Sequence, residues 1–344
     1  MNVLLTSAGR RGYLVNYFKE ALENQGEIHV ANSSIHSTAM MYGDHSVVTP
    51  LIYDDAYIPF LKAYCKEHHI DALIPLFDID LSILSNYKQE FRKIGVEIIV
   101  SNKEVIAICN DKWETCNYLK KNGFHTPLTF VTLSDAINAI RQGHICFPLI
   151  IKPRCGMGSI SIFEAENMDE LNVFYHKVKK TIQTTYLSYE SQQNIESCVV
   201  IQEKLVGQEY GLDIINDLEG NYQTTIVKKK RAMRAGETDC AETVTNLELE
   251  TMGKRLSLAM GHTANLDVDA FIVEGVPYIL EMNARFGGGY PFSHIAGVNL
   301  PKAIIHWLNG EAVEQSLLVA NAGVVAYKSL MIIEHQTNAV PVVL

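Results

Sequence analysis

The chain has 344 residues, of which 47% are hydrophobic and 20% are charged, so it can bury two or three packed units and does not have the composition of a disordered protein. Its formal net charge of -10 argues against a broad nucleic-acid surface, and no apolar run reaches the roughly 20 residues that a membrane-spanning helix needs. The seven cysteines are widely spaced and include no Cys-x-x-Cys pair, which argues against a disulfide framework or a cysteine zinc site. We expect a soluble, cytoplasmic protein without nucleic-acid or membrane partners, and a homodimer is a possible assembly.

Short apolar runs alternate with helical periodicity through the first hundred residues. Strands are predicted at 2–6, 28–32, 72–76 and 96–100, and helices at 13–24, 55–69 and 79–93. This alternation predicts a doubly wound, mostly parallel sheet. The first turn (SAGRRG, 7–12) lacks the full G-x-G-x-x-G spacing, and no acidic residue closes the strand that ends at Asn32. We therefore interpret it as a strand-to-helix turn and not as a dinucleotide site.

The pattern changes at about residue 110. A helix is predicted to end at Asn122-Gly123, followed by a strand at 147–153, a glycine-containing loop at 154–159, a strand at 160–165 and a helix at 168–186. Consecutive antiparallel strands are predicted at 198–205, 209–217 and 222–230, then a helix at 247–262 and strands at 267–273 and 277–283. The tail beyond 311 has only a weak hairpin signal. Antiparallel sheets should therefore follow the parallel one.

The last two strands carry a candidate metal site. Alternate residues of a strand share a face, so Glu281 and Asn283 point the same way, and Asp269 on the preceding strand can join them. Oxygen donors of this kind suit magnesium, whereas the alternative is a solvated sheet face. A two-residue turn at 274–275 would place Asp269 on the opposite face, so the site requires a longer loop or a bulge. One apolar face would then hold Val268, Ala270, Ile272, Tyr278, Leu280 and Met282.

Two further elements have phosphate-binding character. Lys152 ends a strand just before the loop 154–159, whose two glycines allow backbone N–H groups to approach phosphate oxygens; Cys155 lies in this loop, and its reactivity is open. The basic cluster comprises Lys228, Lys229, Lys230, Arg231 and Arg234. Strand alternation places Lys228 and Lys230 on one face, where they could stabilise a transferred phosphoryl group. The two arginines could bind a carboxylate by paired hydrogen bonds, and a solvated charge run is the alternative.

The order of these signals resembles the ATP-grasp superfamily. The resemblance rests on the runs DKW…GFHTP (111–127), FPLIIKPRCGMGSISI (147–162), VIQEKLVGQEYGLDI (200–214) and DVDAFI…YILEMNAR (267–285). The texture is closest to the carbamoyl phosphate synthetase and biotin carboxylase branch, whose last motif also ends Glu-x-Asn-x-Arg. The resemblance implies an α/β and α+β protein with a Rossmann-like domain at 1–105, and an ATP-grasp domain at 106–310. The latter would contain a small lid subdomain (about 125–205) and a larger catalytic subdomain (about 206–310), with segment 311–344 packing on it.

The resemblance also implies roles for individual residues. Lys112 and Lys152 would contact the nucleotide phosphates, under a flexible loop that contains Gly156, Met157, Gly158 and Ser159. Adenine would bind at a hinge formed by Gln202, Glu203, Leu205 and Val206, with Glu209 accepting hydrogen bonds from the ribose. Asp269, Glu281 and Asn283 would hold Mg²⁺, for which Mn²⁺ can substitute, although the carbamoyl phosphate branch often has an amide at the position of Asp269. Arg285 would stabilise the phosphorylated intermediate. From the residues themselves we add Lys228, Lys230, Arg231 and Arg234 to the candidate catalytic set and assign loop 285–290 to the acceptor side.

These residues together predict an ATP- and Mg²⁺-dependent carboxylate–amine ligase that forms an amide through an acyl phosphate. Its partners would be a small-molecule carboxylate and an amine, such as amino acids, small peptides or sugar acids. Positioning and electrostatics can supply this chemistry without a nucleophilic side chain. A competing hypothesis is bicarbonate activation. The sequence argues against it, because we find a single grasp unit and no ammonia-supplying or biotin-carrying region. Two weaker hypotheses are a catalytically inactive nucleotide-binding regulator and a dehydrogenase built on the first domain.

Overall fold

The computed structural model describes residues 1–156 and 160–334, and its first unit is a parallel sheet. The strands are β1 (Val3–Thr6), β2 (Ile28–Asn32), β3 (His45–Val48), β4 (Ala72–Pro75) and β5 (Glu97–Ile98), in the order β3-β2-β1-β4-β5. All four neighbouring pairs are parallel, which confirms the predicted sheet. Strand β3 was not predicted from the sequence. Helices α1 (Gly12–Leu22), α2 (Tyr57–Glu67), α3 (Asp78–Leu84), α4 (Lys88–Arg92) and α5 (Lys103–Asn110) accompany the sheet.

Two details of this unit follow from local chemistry. The central strand β1 is buried along its whole length, as expected for a parallel strand that is covered on both faces. The single helix predicted at 79–93 is wrong, because the structure has two helices there. Ser85 and Asn86 donate side-chain hydrogen bonds to the carbonyl of Ser82, at 3.0 and 2.8 Å, and such local bonds compete with continuation of a helix.

A small antiparallel sheet forms the second unit. Its strands are β6 (Thr129–Phe130), β7 (Leu149–Pro153), β8 (Phe163–Ala165) and β9 (Val199–Glu203), in the order β6-β9-β7-β8. Helix α6 (Lys112–Lys121) precedes it, and α7 (Leu133–Arg141), α8 (Met168–Gln183) and α9 (Leu187–Ser191) accompany it. Ile151, Ile201 and Leu171 belong to a core to which, among the described residues, this unit alone contributes. The small sheet can therefore act as a separate layer over the large one.

The third unit is a large antiparallel sheet. Its strands are β10 (Gln208–Asn216), β11 (Tyr222–Arg234), β12 (Glu237–Val244), β13 (Asn265–Val273), β14 (Val276–Asn283) and β15 (Val325–Tyr327), in the order β14-β13-β10-β11-β12-β15. Helices α10 (Leu247–Met260), α11 (Tyr290–Ile295) and α12 (Leu300–Leu308) complete it. Strand β12 was not predicted from the sequence. The tail forms one strand paired with β12 and not the hairpin predicted from its sequence, and residues 335–344 lie outside the described part of the chain.

The first unit and the large sheet share one hydrophobic core. Leu73 and Val105 of the first unit belong to the same buried cluster as Val268 and Met282 of the large sheet. Burial of apolar area of this kind stabilises the contact between the two units, and it brings the carboxyl ends of the parallel strands next to β13 and β14. Within the described ranges, no helix is both long enough and apolar enough to cross a bilayer.

The β13–β14 hairpin combines a short turn with a bulge. Val273 pairs with Val276, so the turn has two residues, Glu274 and Gly275, both with positive φ as in a type I′ turn. The register then shifts between Asp269 and Ala270. Ala270 pairs with Ile279 and Asp269 pairs with Glu281, which leaves Leu280 as the extra residue. The predicted requirement for a longer loop or a bulge is thus met by the bulge.

The bulge also changes which side chain enters the core. Ile279 and Met282 are fully buried, whereas Leu280 is half-buried and lies outside the hydrophobic cluster. The prediction that Leu280 contributes to the apolar face is therefore wrong. Strict alternation assigned Tyr278 and Leu280 there, but the extra residue puts Ile279 on the core face, and Tyr278 is half-buried and pairs with Phe271 on the other face.

Candidate functional site

An acidic patch lies on β13 and β14 where two cross-strand pairs follow each other. Asp269 is opposite Glu281, and Asp267 is opposite Asn283. Three of the four side chains are carboxylates and the fourth is an amide. All four can therefore offer an oxygen ligand, which is the kind of ligand that magnesium prefers. Burial, together with the negative charge of Asp269, raises the pKa of Asp267, so two carboxylates repel each other here. A bound divalent cation would relieve that repulsion, and the residues therefore fit such an ion.

Asp267 was not among the residues predicted from the sequence. Its signal was present, since residues 267 and 269 are two apart on one strand and therefore share a face. In the structure the Oδ2 atom of Asp267 also lies 3.9 Å from the Nη1 atom of Arg285. The position of Gly287 depends on this aspartate, because a Cβ atom there would lie 2.1 Å from the Asp267 Cγ atom. The glycine allows the loop after β14 to pass directly over the patch.

Two lysines from the small unit face the acidic patch. Lys152 is buried near the end of β7, and burial lowers its pKa to about 8, although Glu281 raises it. The Nζ atom of Lys112, at the start of α6, donates to the carbonyl of Gly156 at 2.7 Å. Burial opposes ionisation of Glu281, but the charges of Lys112 and Lys152 outweigh it and lower the pKa of that carboxyl. Glu281 is therefore held as a carboxylate among cations.

An ion pair that was not predicted from the sequence fixes the position of Lys112. Asp111 caps α6, its Oδ1 atom accepting from the backbone N–H of Trp113 at 2.9 Å. The same carboxylate accepts from the Nε atom of Arg154 at 2.8 and 2.9 Å. The backbone N–H of Lys112 donates to the carbonyl of Arg154 at 3.1 Å. The first turn of α6 is thus attached to the loop that follows β7. The Cys155 thiol in this loop has its pKa raised to about 12 by burial, so it is protonated at neutral pH.

Lys230 lies between two acidic residues for which different roles were predicted. Its Nζ atom is 2.7 Å from Oε1 of Glu209 and 2.6 Å from Oδ1 of Asp269. Burial alone would lower the lysine pKa, but the two carboxylates outweigh it and raise the pKa. The ammonium therefore links the predicted ribose acceptor to the predicted metal site, as a cation at the edge of the acidic patch.

Lys228 lies on the same face of β11 but has a different partner. It is 2% exposed and pairs with the fully buried Asp213. Its Nζ atom also donates to the carbonyl of Gly289 at 3.3 Å, and Asp213 accepts in addition from Ser293 and Asn265. Lys228 therefore anchors the glycine loop that follows β14.

The structure does not bring Arg231 and Arg234 to the acidic patch. Arg231 pairs with Glu242, and the Nη2 atom of Arg234 lies 2.5 Å from Oδ1 of Asp239. Glu242 is opposite Lys229 in the strand register, so Arg231 lies on the face of β11 that is opposite to Lys228 and Lys230. Both arginines are about half exposed. The carboxylate-binding role assigned to them remains a prediction.

Arg285 is held by a carboxylate from the first unit. Its Nε and Nη2 atoms donate to Oδ1 and Oδ2 of Asp78 at 2.8 and 3.0 Å, and both side chains are less than a tenth exposed. Burial would lower the arginine pKa, but Asp78 outweighs it and raises the pKa. Asp78 is the first residue of α3 and lies directly beyond the carboxyl end of β4, the edge at which parallel sheets place their ligands. No local motif marks it, so it could not be predicted from the sequence.

The predicted adenine hinge comprises the end of β9 and the residues directly after it. The side chain of Gln202 is buried and donates to Thr129 Oγ1 at 2.9 Å, while Oε2 of Glu203 accepts from the backbone N–H of Leu128 at 3.1 Å. Both side chains therefore already have hydrogen-bond partners within the small unit. An adenine base would have to be contacted by the backbone groups of the hinge instead. Leu205 is half-buried and Val206 is 75% exposed.

Helix α9 adds a carboxylate that was not predicted from the sequence. Tyr189 stacks on Tyr53 of the first unit, with ring centroids 3.9 Å apart, so α9 reaches across the site. The neighbouring Glu190 has a buried Oε2 atom without a hydrogen-bond partner among the described residues. Burial and, to a smaller extent, the negative charge of Asp78 raise the pKa of Glu190 to about 7, whereas the charge of Lys112 lowers it. Met157, Gly158 and Ser159 of the predicted phosphate loop lie outside the described residues.

Arg11 is a second arginine close to Arg285. It lies in the turn after β1, is half-buried, and makes no ion pair with a carboxylate in the described ranges. Burial, and then the charge of Arg285, lower its pKa, and the fields of Asp78 and Glu237 oppose this effect. A buried cation without its own carboxylate can receive one from a ligand.

Comparisons with known proteins agree with this geometry. Residues 109–289 match the ATP-grasp domain family, and residues 3–99 match the PylC-like N-terminal domain family. The carbamoyl phosphate synthase large chain of Thermoanaerobacter sp. (strain X514) is 22% identical over 295 residues, which are 83% of this chain and 26% of that protein. The D-alanine--D-alanine ligase A of Bacillus cereus is 24% identical over 233 residues, covering 61% of this chain and 71% of that protein.

Solved structures show the same fold. Biotin carboxylase from Campylobacter jejuni superimposes with a TM-score of 0.72 at 17% identity, covering 93% of this chain and 73% of that one. The L-amino acid ligase from Bacillus licheniformis gives 0.66 at 18% identity, covering 92% and 76%. The chain spans about a quarter of the length of the carbamoyl phosphate synthase large chains that it matches. Because the domain match covers more than half of its residues, this chain belongs to the ATP-grasp family.

Proposed function

We propose that this protein is an ATP- and Mg²⁺-dependent carboxylate–amine ligase that forms an amide through an acyl phosphate and releases ADP and phosphate. One observation carries the proposal. Glu281 and its neighbouring acids lie among cations from separate units, with Lys112 and Lys152 from the small unit and Lys230 and Arg285 from the large one. Oxygen ligands surrounded by fixed positive charge are what phosphoryl transfer requires of a protein.

The acidic patch would hold the metal. Asp269, Glu281 and Asn283, joined by Asp267, supply the donors, and Mn²⁺ can use the same oxygen set. When bound, the ion would neutralise phosphate charge and orient the nucleotide. Lys230 would have to leave Asp269, or share it, when the ion binds, since its ammonium now lies 2.6 Å from that carboxylate.

In the first step, a substrate carboxylate oxygen attacks the γ-phosphorus of ATP, and the bond to the β-phosphate oxygen breaks to give ADP. Lys112 and Lys152 neutralise the oxygens of the transferred group, a role that their burial strengthens because solvent screens them little. Arg285 is kept in one orientation by the paired hydrogen bonds from Asp78. It would bind the acyl phosphate as it forms.

In the second step, the amine attacks the acyl carbon and inorganic phosphate leaves. The amine must lose a proton, and we assign Glu190 as its acceptor. A carboxylate with a pKa of about 7 can accept a proton at neutral pH and return it to water. The stacking of Tyr189 on Tyr53 places α9 over the site, where it would also exclude water from the acyl phosphate.

The substrate class that we favour is amino acids. Arg11 can hold a carboxylate that is not being activated, since it has no ion-pair partner in the described part of the chain. The names of two similar proteins, a D-alanine--D-alanine ligase and an L-amino acid ligase, support the same class. Arg231 and Arg234 would have to leave Glu242 and Asp239 before they could take this role. The cytoplasmic location and the homodimer stay predictions.

Bicarbonate activation is the second candidate, because relatives named carbamoyl phosphate synthase match most of this chain. A panel of amino acids, alone and in pairs, would be incubated with ATP and Mg²⁺, and phosphate release and product mass would be measured. A new mass equal to two substrates minus water supports the ligase. Phosphate release with bicarbonate alone would favour the second candidate. Nucleotide binding without turnover on any substrate would indicate a regulator and would contradict the proposal.

A further inference from the structure

We propose that Glu27, His29 and His45 form a zinc site at the edge of the parallel sheet, separate from the ligase site. His29 is the second residue of β2, and His45 is the first residue of the edge strand β3, directly opposite it in the register. Glu27 immediately precedes β2. The cluster therefore lies at the amino-terminal ends of the strands, whereas Asp78 of the ligase site follows the carboxyl end of β4.

The donor atoms are close enough to share one ion. The Oε2 atom of Glu27 is 3.2 Å from Nε2 of His45 and 3.7 Å from Nε2 of His29. All three donors lie within 4.8 Å of one another. Zinc bonds of about 2.0–2.2 Å in a tetrahedron separate neighbouring ligand atoms by roughly 3.3–3.6 Å. The two separations between Glu27 and the histidine nitrogens, 3.2 and 3.7 Å, are close to that spacing.

An independent observation is the unpartnered nitrogen of His29. This side chain is 1% exposed, and its Nε2 atom has no hydrogen-bond partner among the described residues. A buried polar atom without a partner costs free energy, so it calls for a ligand. The nitrogen faces Glu27 and His45, which are the two residues that could share an ion with it.

Tyr64 orients the histidine for this role. Its hydroxyl lies 2.9 Å from Nδ1 of His29, so Nδ1–H can donate to it and leave the Nε2 lone pair free. Ligating histidines commonly have such a fixed second nitrogen.

The chemistry of the cluster favours zinc over magnesium. Two imidazoles and one carboxylate are typical zinc ligands, whereas magnesium prefers oxygen donors alone. The side chains of Glu27 and His45 are 53% and 45% exposed, so an ion can enter from solvent while one ligand stays buried. An ion here would cross-link β2 to the edge strand β3. No cysteine takes part, which explains why the cysteine spacing gave no sign of this site.

The test is zinc titration of the intact chain by calorimetry, in saturating Mg²⁺ so that the acidic patch is occupied. The background carries Cys146→Ser, because Cys146 is the exposed cysteine and could bind zinc on its own. The variants are His45→Ala and Glu27→Gln, whose side chains are exposed enough for the fold to survive. His144→Ala, at another exposed histidine, is the matched control.

We expect one zinc ion per chain, with Kd weakened more than about tenfold in both variants and unchanged in the control. Cobalt should give visible absorption bands that zinc abolishes in the parent and that the variants lack. Zinc should also raise the midpoint of thermal unfolding of the parent but not of His45→Ala. Absence of one-to-one binding, or equal affinity in both variants and the parent, would overturn the proposal. Because ATP and turnover do not enter this assay, failure here would leave the ligase proposal unaffected.

Discussion

The contact between Asp78 and Arg285 gives the sharpest test of the site, because it joins two units of the fold. We predict that Asp78→Asn lowers both stability and turnover. The asparagine keeps the size of the side chain and can accept one of the two hydrogen bonds, but the negative charge is lost. Arg285 then remains buried with its nearest other carboxylate, Asp267, 3.9 Å away.

The magnitude follows from the burial of the pair. Removing one partner of a buried ion pair costs about 3–5 kcal/mol, and the retained hydrogen bond places this variant near the lower end, at about 3 kcal/mol. For a domain of more than 200 residues, that corresponds to a fall in Tm of roughly 6 °C. If Arg285 also loses its orientation toward the acyl phosphate, loss of one charged hydrogen bond lowers kcat by about ten- to a hundredfold.

The assay compares Tm, kcat and the Kd for ATP. Glu97→Gln is a matched control, because Glu97 accepts from Arg92 through two bonds of 2.7 Å in the same unit, but this pair is exposed. Exposed pairs contribute about 0–1 kcal/mol, so the control should change neither Tm nor kcat measurably. The Kd for ATP should stay within about threefold in both variants, since the predicted nucleotide contacts lie on different elements. Unchanged kcat and Tm in Asp78→Asn would refute the argument that this pair orients Arg285.

Three further predictions address the remaining groups of the site. Glu281→Gln should abolish turnover while the protein still folds, because its carboxylate faces the site and not the core; near-normal activity of the purified variant would remove it from the metal site. Glu209→Ala should weaken ATP binding about ten- to a hundredfold, which isothermal titration would detect, and an unchanged Kd would mean that Glu209 serves only to hold Lys230. Glu190→Gln should slow amide formation most above pH 7, where Glu190 of the parent is ionised, and should remove the fall in rate that protonation of Glu190 causes as pH drops through about 7 in the parent. Hydroxylamine, an amine already unprotonated at neutral pH, should restore acyl capture in that variant, and failure of this rescue would argue that Glu190 acts before the amine step.

The sequence contained enough information for the main architecture. Period-two and helical patterns located most strands and helices, since burial of one face imposes those periods on any chain. The missed strands, β3, β6 and β12, are exceptions with a common reason. All three lie at or near sheet edges and include exposed or half-buried residues, so their apolar signal is weak.

Local spacing also predicted the polar pair on β14, whereas the partner across the hairpin depended on a bulge. Alternation along one strand places Glu281 and Asn283 on one face, and no tertiary information is needed for that. Whether Asp269 joins them depends on a single inserted residue at Leu280. The sequence patterns showed that Asp269 can lie opposite Glu281 only with a longer loop or a bulge. They could not distinguish these two solutions, because both leave the same apolar spacing at the strand ends.

The sequence by itself determined the parallel and antiparallel sheets, the oxygen donors and the lysines that carry phosphate-binding character. Only the tertiary structure decided how these groups are paired. Asp78 reaches Arg285 because the first unit packs on the large sheet, Lys230 lies between Glu209 and Asp269, and Arg231 faces away. Spacing along a chain records which face a side chain takes, since that depends on local backbone geometry. The partner that it meets depends on how separate units dock, and docking is determined by burial summed over many residues far apart in the chain.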